Sequence, residues 1–157
     1  VGFDDAERIT NHELLTLDTD VLIPAALENA IDKSVAEETG TDLVIEAANG
    51  PTTSEGNEVL VERGIPVMPD ILANAGGVTV SYLEWVQNFQ QYSWTLEQVN
   101  DNLYDRLTAA FEDVLKAHGS IDTDCYRTAA YTVALERVVG VERADELLRS
   151  VCCHRSW

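Results

Sequence analysis

The stretch Leu43–Asp70, LVIEAANGPTTSEGNEVLVERGIPVMPD, decides the fold class, because two apolar runs flank a helical pattern. The runs Leu43–Ala48 and Ile65–Asp70 are continuous rather than alternating, as strands buried on both faces require. The helical pattern covers Glu55–Arg63 and is followed by Gly64, a residue type that commonly ends helices. The stretch therefore predicts a strand, a helix and a second strand.

A third apolar run lies upstream, at Val21–Ala26 (VLIPAA), and the helical stretch Glu28–Glu38 follows it. Thr53 and Ser54 are candidate N-caps for the second helix. Strands and helices that alternate at this spacing are typical of βαβ units with a parallel sheet. No strand with a glycine-rich phosphate loop precedes Val21, so we predict an α/β fold that holds the second half of a Rossmann-like sheet.

No strand pattern follows Asn74, and the rest of the chain predicts a C-terminal helical region. Thr95 and Gln98 have the spacing of a capping box, and Gly119 is the expected stop of the helix that they begin. The last helix is apolar over much of its circumference, so we expect it to be buried. The predicted helices are Ala75–Gln91, Leu96–His118 and Tyr126–Val139.

The charge of the chain is strongly negative, at −18, with 28 acidic residues against 10 basic ones. Nucleic-acid binding needs a basic surface and is therefore not expected. Self-repulsion should destabilise the compact state at low salt and be screened at high salt, so we expect a halophilic source. An ordinary acidic cytosolic protein is the alternative. No apolar run is long enough to span a membrane, and no secretory pattern opens the chain, so a cytoplasmic location is expected.

The cysteines do not form an even framework, since only Cys125, Cys152 and Cys153 are present. Adjacent Cys152 and Cys153 with His154 could hint at a metal, but ligands usually come as separated pairs. We expect no metal site and reduced thiols in an atypical tail.

Small residues follow each predicted strand, where an open parallel sheet binds its ligands. Ala25 and Ala26 follow the first strand, the Asn49 turn the second, and Ala73–Gly77 the third. Because glycine has no Cβ, a ligand could approach the last segment closely. A lone Asn-Gly is usually a simple turn, so the convergence of three strand ends carries the prediction of a ligand site.

Ser81 lies on the helix that begins near Ala75 and could hydrogen-bond a ligand carboxylate. A helical serine more often bonds its own backbone, and that alternative stays open. No base is visible near it, so we do not expect a nucleophile. Tyr82, Trp85 and Phe89 recur at helical spacing and are expected to pack rather than to form a stacking platform.

The motifs carry a resemblance to a known family. From about Ile9 to Val139 the chain resembles the glutamate dehydrogenases of the Glu/Leu/Phe/Val dehydrogenase superfamily. The resembling motifs are ITNHELLTLDTDVLIPAALENAI (Ile9–Ile31), VIEAANGPTT (Val44–Thr53), PDILANAGGVTVSYLEWVQN (Pro69–Asn88) and RTAAYTVALERV (Arg127–Val138).

The resemblance implies oxidative deamination of L-glutamate to 2-oxoglutarate and ammonia, with hydride transfer to NAD or NADP, in a homo-oligomer that is usually a hexamer. It implies that residues 1–74 are the second half of an NAD(P)-binding Rossmann-like domain. Residues 75–157 would then be C-terminal helices with an atypical tail. The implied cofactor contacts are Ala25, Ala26, Asn49, Asn74, Gly76 and Gly77. The implied substrate contacts are Val78, which lines the pocket, and Ser81, which bonds the side-chain carboxylate.

The chain also departs from the family's pattern. The catalytic Lys and Asp of the family and its glycine-rich loop match no residue here, so no catalytic residue is assigned. We expect an incomplete fragment without activity alone, and the tail with Cys152, Cys153 and Trp157 matches nothing in the family. Two alternatives remain: a dehydrogenase for leucine, valine or phenylalanine, and a non-catalytic fragment that associates through its helices.

Overall fold

The computed structural model describes residues 7–121 and 123–140. These residues form two compact units that divide between Pro66 and Val67. The elements in chain order are α1 (Asn11–Leu15), β1 (Val21–Leu22), α2 (Lys33–Glu38), β2 (Leu43–Ile45), α3 (Ser54–Glu62), β3 (Val67–Met68), α4 (Asp70–Ala73), α5 (Ala75–Gln90), α6 (Leu96–Ser120) and α7 (Tyr126–Val139). The predicted domain boundary after Asn74 concerns the whole protein and stays a prediction.

Short strands alternate with helices along the chain, and the α/β class is confirmed. β1 and β2 run parallel, with Val21 opposite Leu43 and Leu22 opposite Val44. All three strands are shorter than predicted. Proline explains part of the difference, because it has no N–H to donate to a ladder. Pro24 lies just beyond β1.

In the first unit, the helix predicted over Glu28–Glu38 is wrong at its start. Asn29 has a positive φ of 55°, and Ile31 makes an isolated parallel bridge to Thr52, so neither continues a helix. α2 begins instead after Asp32, whose carboxylate accepts a hydrogen bond from Val35 N at 3.0 Å. The short helix α1 begins with a capping box formed by Thr10 and Glu13, which was not predicted.

The helix α3 confirms the prediction around it. Thr53 is the N-cap and accepts a hydrogen bond from Gly56 N at 3.0 Å, and Gly64 follows the helix with a φ of 71°. Leu60 on α3 is fully buried, as are Ile31 and the β2 residue Val44.

In the second unit, α5 and α7 have the predicted bounds within a residue, and Thr95 and Gln98 form the predicted capping box of α6. The expected stop at Gly119 is wrong. α6 continues to Ser120, and the next residue, Ile121, packs against the core of the unit.

The core of the second unit joins α6 and α7. Val114, Ala129 and Ala130 form a buried cluster there, and the half-buried apolar residues packed against it are Leu72, Ala117, Ile121, Tyr126 and Val133. The expectation that α7 is buried holds for one face only, because Tyr131 and Val138 are exposed.

Within the part of the chain that the structure describes, no helix is long and apolar enough to cross a membrane. The same residues contain no cluster of three His, Cys, Asp or Glu side chains that could hold a metal ion. Cys152, Cys153, His154 and Trp157, together with the rest of the predicted tail, lie outside the described residues.

Candidate functional site

In the first unit, hydrogen bonds to a single carbonyl oxygen join the ends of β1 and β2. Pro24 O accepts hydrogen bonds from Ala47 N at 3.1 Å and from Ala48 N at 2.8 Å. This places Ala25 directly after the shared carbonyl, on the same edge as the residues that follow β2. The side chains of Ala25, Ala26 and Asn49 are all exposed. The structure therefore brings the three predicted contacts of this unit to one edge of the sheet.

The turn after Asn49 has a defined geometry. Gly50 has a φ of 54°, and its carbonyl oxygen accepts a hydrogen bond from Asn29 N at 2.8 Å. Pro51 O accepts a second bond from Ile31 N, also at 2.8 Å. A Cβ on Gly50 would meet nothing within 4 Å, so the glycine is needed for its conformation and not for space. These bonds hold the turn that carries Asn49.

In the second unit, Asn74 is the junction between α4 and α5. It follows the last residue of α4 and precedes the first residue of α5. Asn74 N donates to Asp70 O at 3.1 Å, and Asn74 O accepts from Gly77 N at 3.4 Å. The residue is half-buried, so its position is fixed while part of it stays accessible.

Gly76 and Gly77 lie in the first turn of α5, and neither has a positive φ. A Cβ on Gly76 would lie 3.7 Å from Leu107 Cδ1, an ordinary contact, and a Cβ on Gly77 would meet nothing within 4 Å. Each helical glycine costs roughly 1 kcal/mol relative to alanine. The described residues therefore give no packing or backbone reason for either glycine. Close approach of a bound molecule would supply such a reason for Gly77, where the space is open.

Val78 and Ser81 lie on the exposed side of the same helix. Val78 is 71% exposed. Ser81 Oγ donates a hydrogen bond to Gly77 O at 3.1 Å, which is the backbone alternative that the sequence left open. The hydroxyl is exposed, and rotation about one bond would redirect its hydrogen to an approaching acceptor.

The aromatic residues of α5 are exposed to solvent, whereas the sequence predicted that they pack in the core. Tyr82, Trp85 and Phe89 are 49%, 59% and 78% exposed, so they do not pack in the core of this unit. They stack on one another instead, with ring centroids 6.0 Å apart for Tyr82 and Trp85 and 5.6 Å for Trp85 and Phe89. Val78 lies four residues before Tyr82 and shares their helix face. The spacing was visible in the sequence, but it does not reveal which side of a helix faces solvent.

Comparison with known proteins gives these features a family context. The model of the Glutamate/Leucine/Phenylalanine/Valine dehydrogenase family matches residues 2–145. The chain is 61% identical over 133 residues to glutamate dehydrogenase A2 of Halobacterium salinarum, covering 85% of this chain and 32% of the relative.

Two further Halobacterium salinarum proteins are similar. The chain is 55% identical to NADP-specific glutamate dehydrogenase A1, with 88% of this chain and 33% of the relative covered. It is 53% identical to NAD-specific glutamate dehydrogenase A, with 88% and 32% covered. The chain thus spans about a third of the length of the curated relatives that it matches.

Among solved structures, hetero-hexameric glutamate dehydrogenase from Thermus thermophilus superposes with a TM-score of 0.79 at 30% sequence identity. The superposition covers 91% of this chain and 33% of that one. The fold and the sequence therefore point to the same group of proteins.

Proposed function

Because the chain belongs to the glutamate/leucine/phenylalanine/valine dehydrogenase family, we propose that it forms the cofactor-facing part of a glutamate dehydrogenase. The whole enzyme would convert L-glutamate to 2-oxoglutarate and ammonia. The observation that carries this proposal is the pair Gly76 and Gly77, two helical glycines with ordinary contact or open space where each Cβ would lie. Gly77 leaves room for a flat molecule against the backbone of α5, whereas the Cβ position of Gly76 faces Leu107 of α6.

We assign the cofactor to NAD or NADP, which would supply the hydride acceptor when bound. The residues that would hold it are small or neutral: Ala25, Ala26, Asn49, Asn74, Gly76 and Gly77. The alanines and glycines offer backbone at short range, while each asparagine offers donors and an acceptor. The names of the NADP-specific and NAD-specific relatives support this cofactor class.

We assign the substrate to the exposed face of α5 at Val78 and Ser81. Val78 would cover the methylene groups of glutamate, and the Ser81 hydroxyl would turn from Gly77 O to donate to the side-chain carboxylate. A hydrogen bond to a charged group contributes about 1.5–3 kcal/mol. None of the assigned side chains titrates near neutral pH, so we assign them binding and orientation and no proton transfer.

A dehydrogenase for leucine, valine or phenylalanine is the second candidate, and Val78 supports it as an exposed apolar side chain beside the proposed site. Ser81 favours glutamate over these substrates, because a polar group left unpaired by an apolar substrate is costly.

We further propose a cytoplasmic homohexamer from a halophile. The hetero-hexameric Thermus thermophilus relative supports six subunits, while their identity to one another is part of the proposal. The charge of −18 and the similarity to Halobacterium proteins support a saline environment.

A chimera tests the proposal directly. This chain replaces the aligned third of glutamate dehydrogenase A2 from Halobacterium salinarum, and formation of reduced nicotinamide is followed with glutamate and with leucine. We expect turnover with glutamate well above turnover with leucine. An assembled, folded chimera that is inactive on glutamate or faster on leucine would overturn the proposal, and the unaltered relative is the control.

A further inference from the structure

Asp70 and Arg127 form a shielded ion pair that joins the start of α4 to the start of α7. Arg127 Nη1 lies 3.5 Å from Asp70 Oδ1, and the two side chains are 21% and 18% exposed. The pair between Arg137 and Asp113 joins α7 to α6 at 2.7 Å, but its side chains are 59% and 43% exposed. Solvent therefore screens the first pair much less than the second.

The helix α4 depends on such contacts because it has only four residues. Helices of this length are not stable by themselves, since nucleation is unfavourable and few bonds follow it. Two contacts help to hold α4 in place within the unit. One is the ion pair of Asp70 with α7, and the other is Leu72, which packs against the apolar core of Val114, Ala129 and Ala130.

α4 leads directly into the proposed cofactor contact. Asp70 contacts both Arg127 and Asn74. Its carboxylate pairs with Arg127, and its carbonyl oxygen accepts the hydrogen bond from Asn74 N at 3.1 Å. Asn74 O in turn accepts from Gly77 N. A continuous series of contacts thus runs from Arg127 through Asp70 to Asn74 and Gly77.

We propose that Arg127 is a positioning residue, which fixes the backbone of residues 74–77 through Asp70 and α4. Its significance for the nicotinamide cofactor rests on the function proposed above, whereas its effect on the backbone does not. Removing the guanidinium would leave the Asp70 carboxylate shielded from water but without the positive charge of Arg127. Breaking a partly buried ion pair in this way is destabilising.

Amide hydrogen exchange in the 157-residue chain tests the positioning effect, with Arg137→Gln as the matched control on the same helix. We expect Arg127→Gln to speed exchange at Asn74 and Gly77 about tenfold, which corresponds to about 1.4 kcal/mol. Arg137→Gln should leave these amides unchanged. If Arg127→Gln fails to fold, Arg127→Lys takes its place, because it keeps the charge but loses the planar fork, and we expect an intermediate increase. Equal exchange at these amides in the Arg127 and Arg137 variants would overturn the inference.

The same substitutions in the chimera test the link to the cofactor. We expect Arg127→Gln to raise KM for the nicotinamide cofactor about tenfold while KM for glutamate changes less, and Arg127→Lys to restore part of the loss. Faster exchange with an unchanged KM for the cofactor would leave the positioning role intact and overturn the placement of Asn74 at the cofactor. Unchanged exchange would overturn the positioning role whatever the kinetics.

Discussion

The Ser81 hydroxyl and the Gly77 carbonyl oxygen are joined by a hydrogen bond of 3.1 Å across one turn of α5. The same bond links a proposed substrate contact to a proposed cofactor contact. For Ser81 to bind a carboxylate, its only hydroxyl hydrogen must leave Gly77, whose carbonyl oxygen would still accept the α5 backbone bond. Replacing the bond to Gly77 O by a bond to the carboxylate costs little free energy, because both Ser81 and Gly77 are exposed to water.

Replacing Ser81 by alanine should lower kcat/KM for glutamate in the chimera by roughly 10- to 150-fold, the equivalent of one charge-assisted hydrogen bond of about 1.5–3 kcal/mol. The rate with leucine should not fall. Thr79→Val is the matched control, because Thr79 Oγ1 makes the same type of bond, to Ala75 O at 2.8 Å, but is not a proposed contact. Equal losses on both substrates would contradict the assignment of Ser81.

Replacing Gly56 by alanine should destabilise the first unit, because the new Cβ would lie 2.6 Å from Ile31 O, a backbone atom that cannot rotate away. Overpacking of this kind costs about 1–3 kcal/mol. Urea denaturation followed by circular dichroism measures the change. An unaltered unfolding midpoint would show that α3 and Ile31 are further apart than described.

Asp32 gives α2 a pH-dependent N-cap. The hydrogen bonds from Val35 N and Ser34 Oγ lower the pKa of the Asp32 carboxyl below its ordinary value of 3.8. A lowered pKa stabilises the folded state above that ordinary value, and the contribution is lost as pH falls through the folded-state pKa.

Asp32→Ala should therefore unfold at lower urea than the unaltered chain near neutral pH, and the difference should shrink as pH falls below 3.8. Urea midpoints measured across this range test the prediction. Asp42→Ala serves as the control, because Asp42 is exposed and caps no helix. A difference that does not change with pH would contradict the capping role of the carboxylate.

The charge of −18 predicts a melting temperature that rises between low salt and multimolar potassium chloride. At about 1 M salt the Debye length is about 3 Å, so repulsion between neighbouring carboxylates is screened. Thermal melts measure the rise. The triple variant Asp101→Asn, Asp105→Asn, Glu112→Gln removes three exposed acidic charges from α6 and should gain less from salt. A salt response that is flat, or equal in both proteins, would contradict the electrostatic explanation.

Local signals in the sequence predicted most of the fold. Thr53, Thr95 and Gln98 marked helix starts because capping depends on neighbouring residues alone. The start of α2 was missed because the bridge between Ile31 and Thr52 is a contact between distant residues. Gly119 did not end α6, since a glycine is compatible with a helix end but does not require one.

The sequence predicted where the candidate site residues lie along the chain, and their binding roles stay predictions. The motif around Asn74 predicted a strand that leads into a helix, and the structure confirms the helix, with Gly76 and Gly77 in its first turn. The strand-to-helix junction is wrong, because the short helix α4 lies between β3 and Asn74. The ion pair of Asp70 with Arg127 could not be predicted, because it joins residues far apart in sequence. The exposure of the α5 aromatic residues likewise depends on which helix face the rest of the unit covers.

The most direct test of the ligand site compares Gly77→Ala with Gly119→Ala, because a Cβ at either position meets nothing within 4 Å. Both substitutions should raise the free energy of unfolding of the chain slightly, by about 0.5–1 kcal/mol. In the chimera, only Gly77→Ala should impair the enzyme, because its Cβ would occupy space proposed for the cofactor and substrate. We predict that Gly77→Ala loses at least roughly tenfold in kcat/KM while Gly119→Ala keeps full activity. A Gly77→Ala chimera with unchanged kcat/KM for glutamate and for the nicotinamide cofactor would contradict the proposed site.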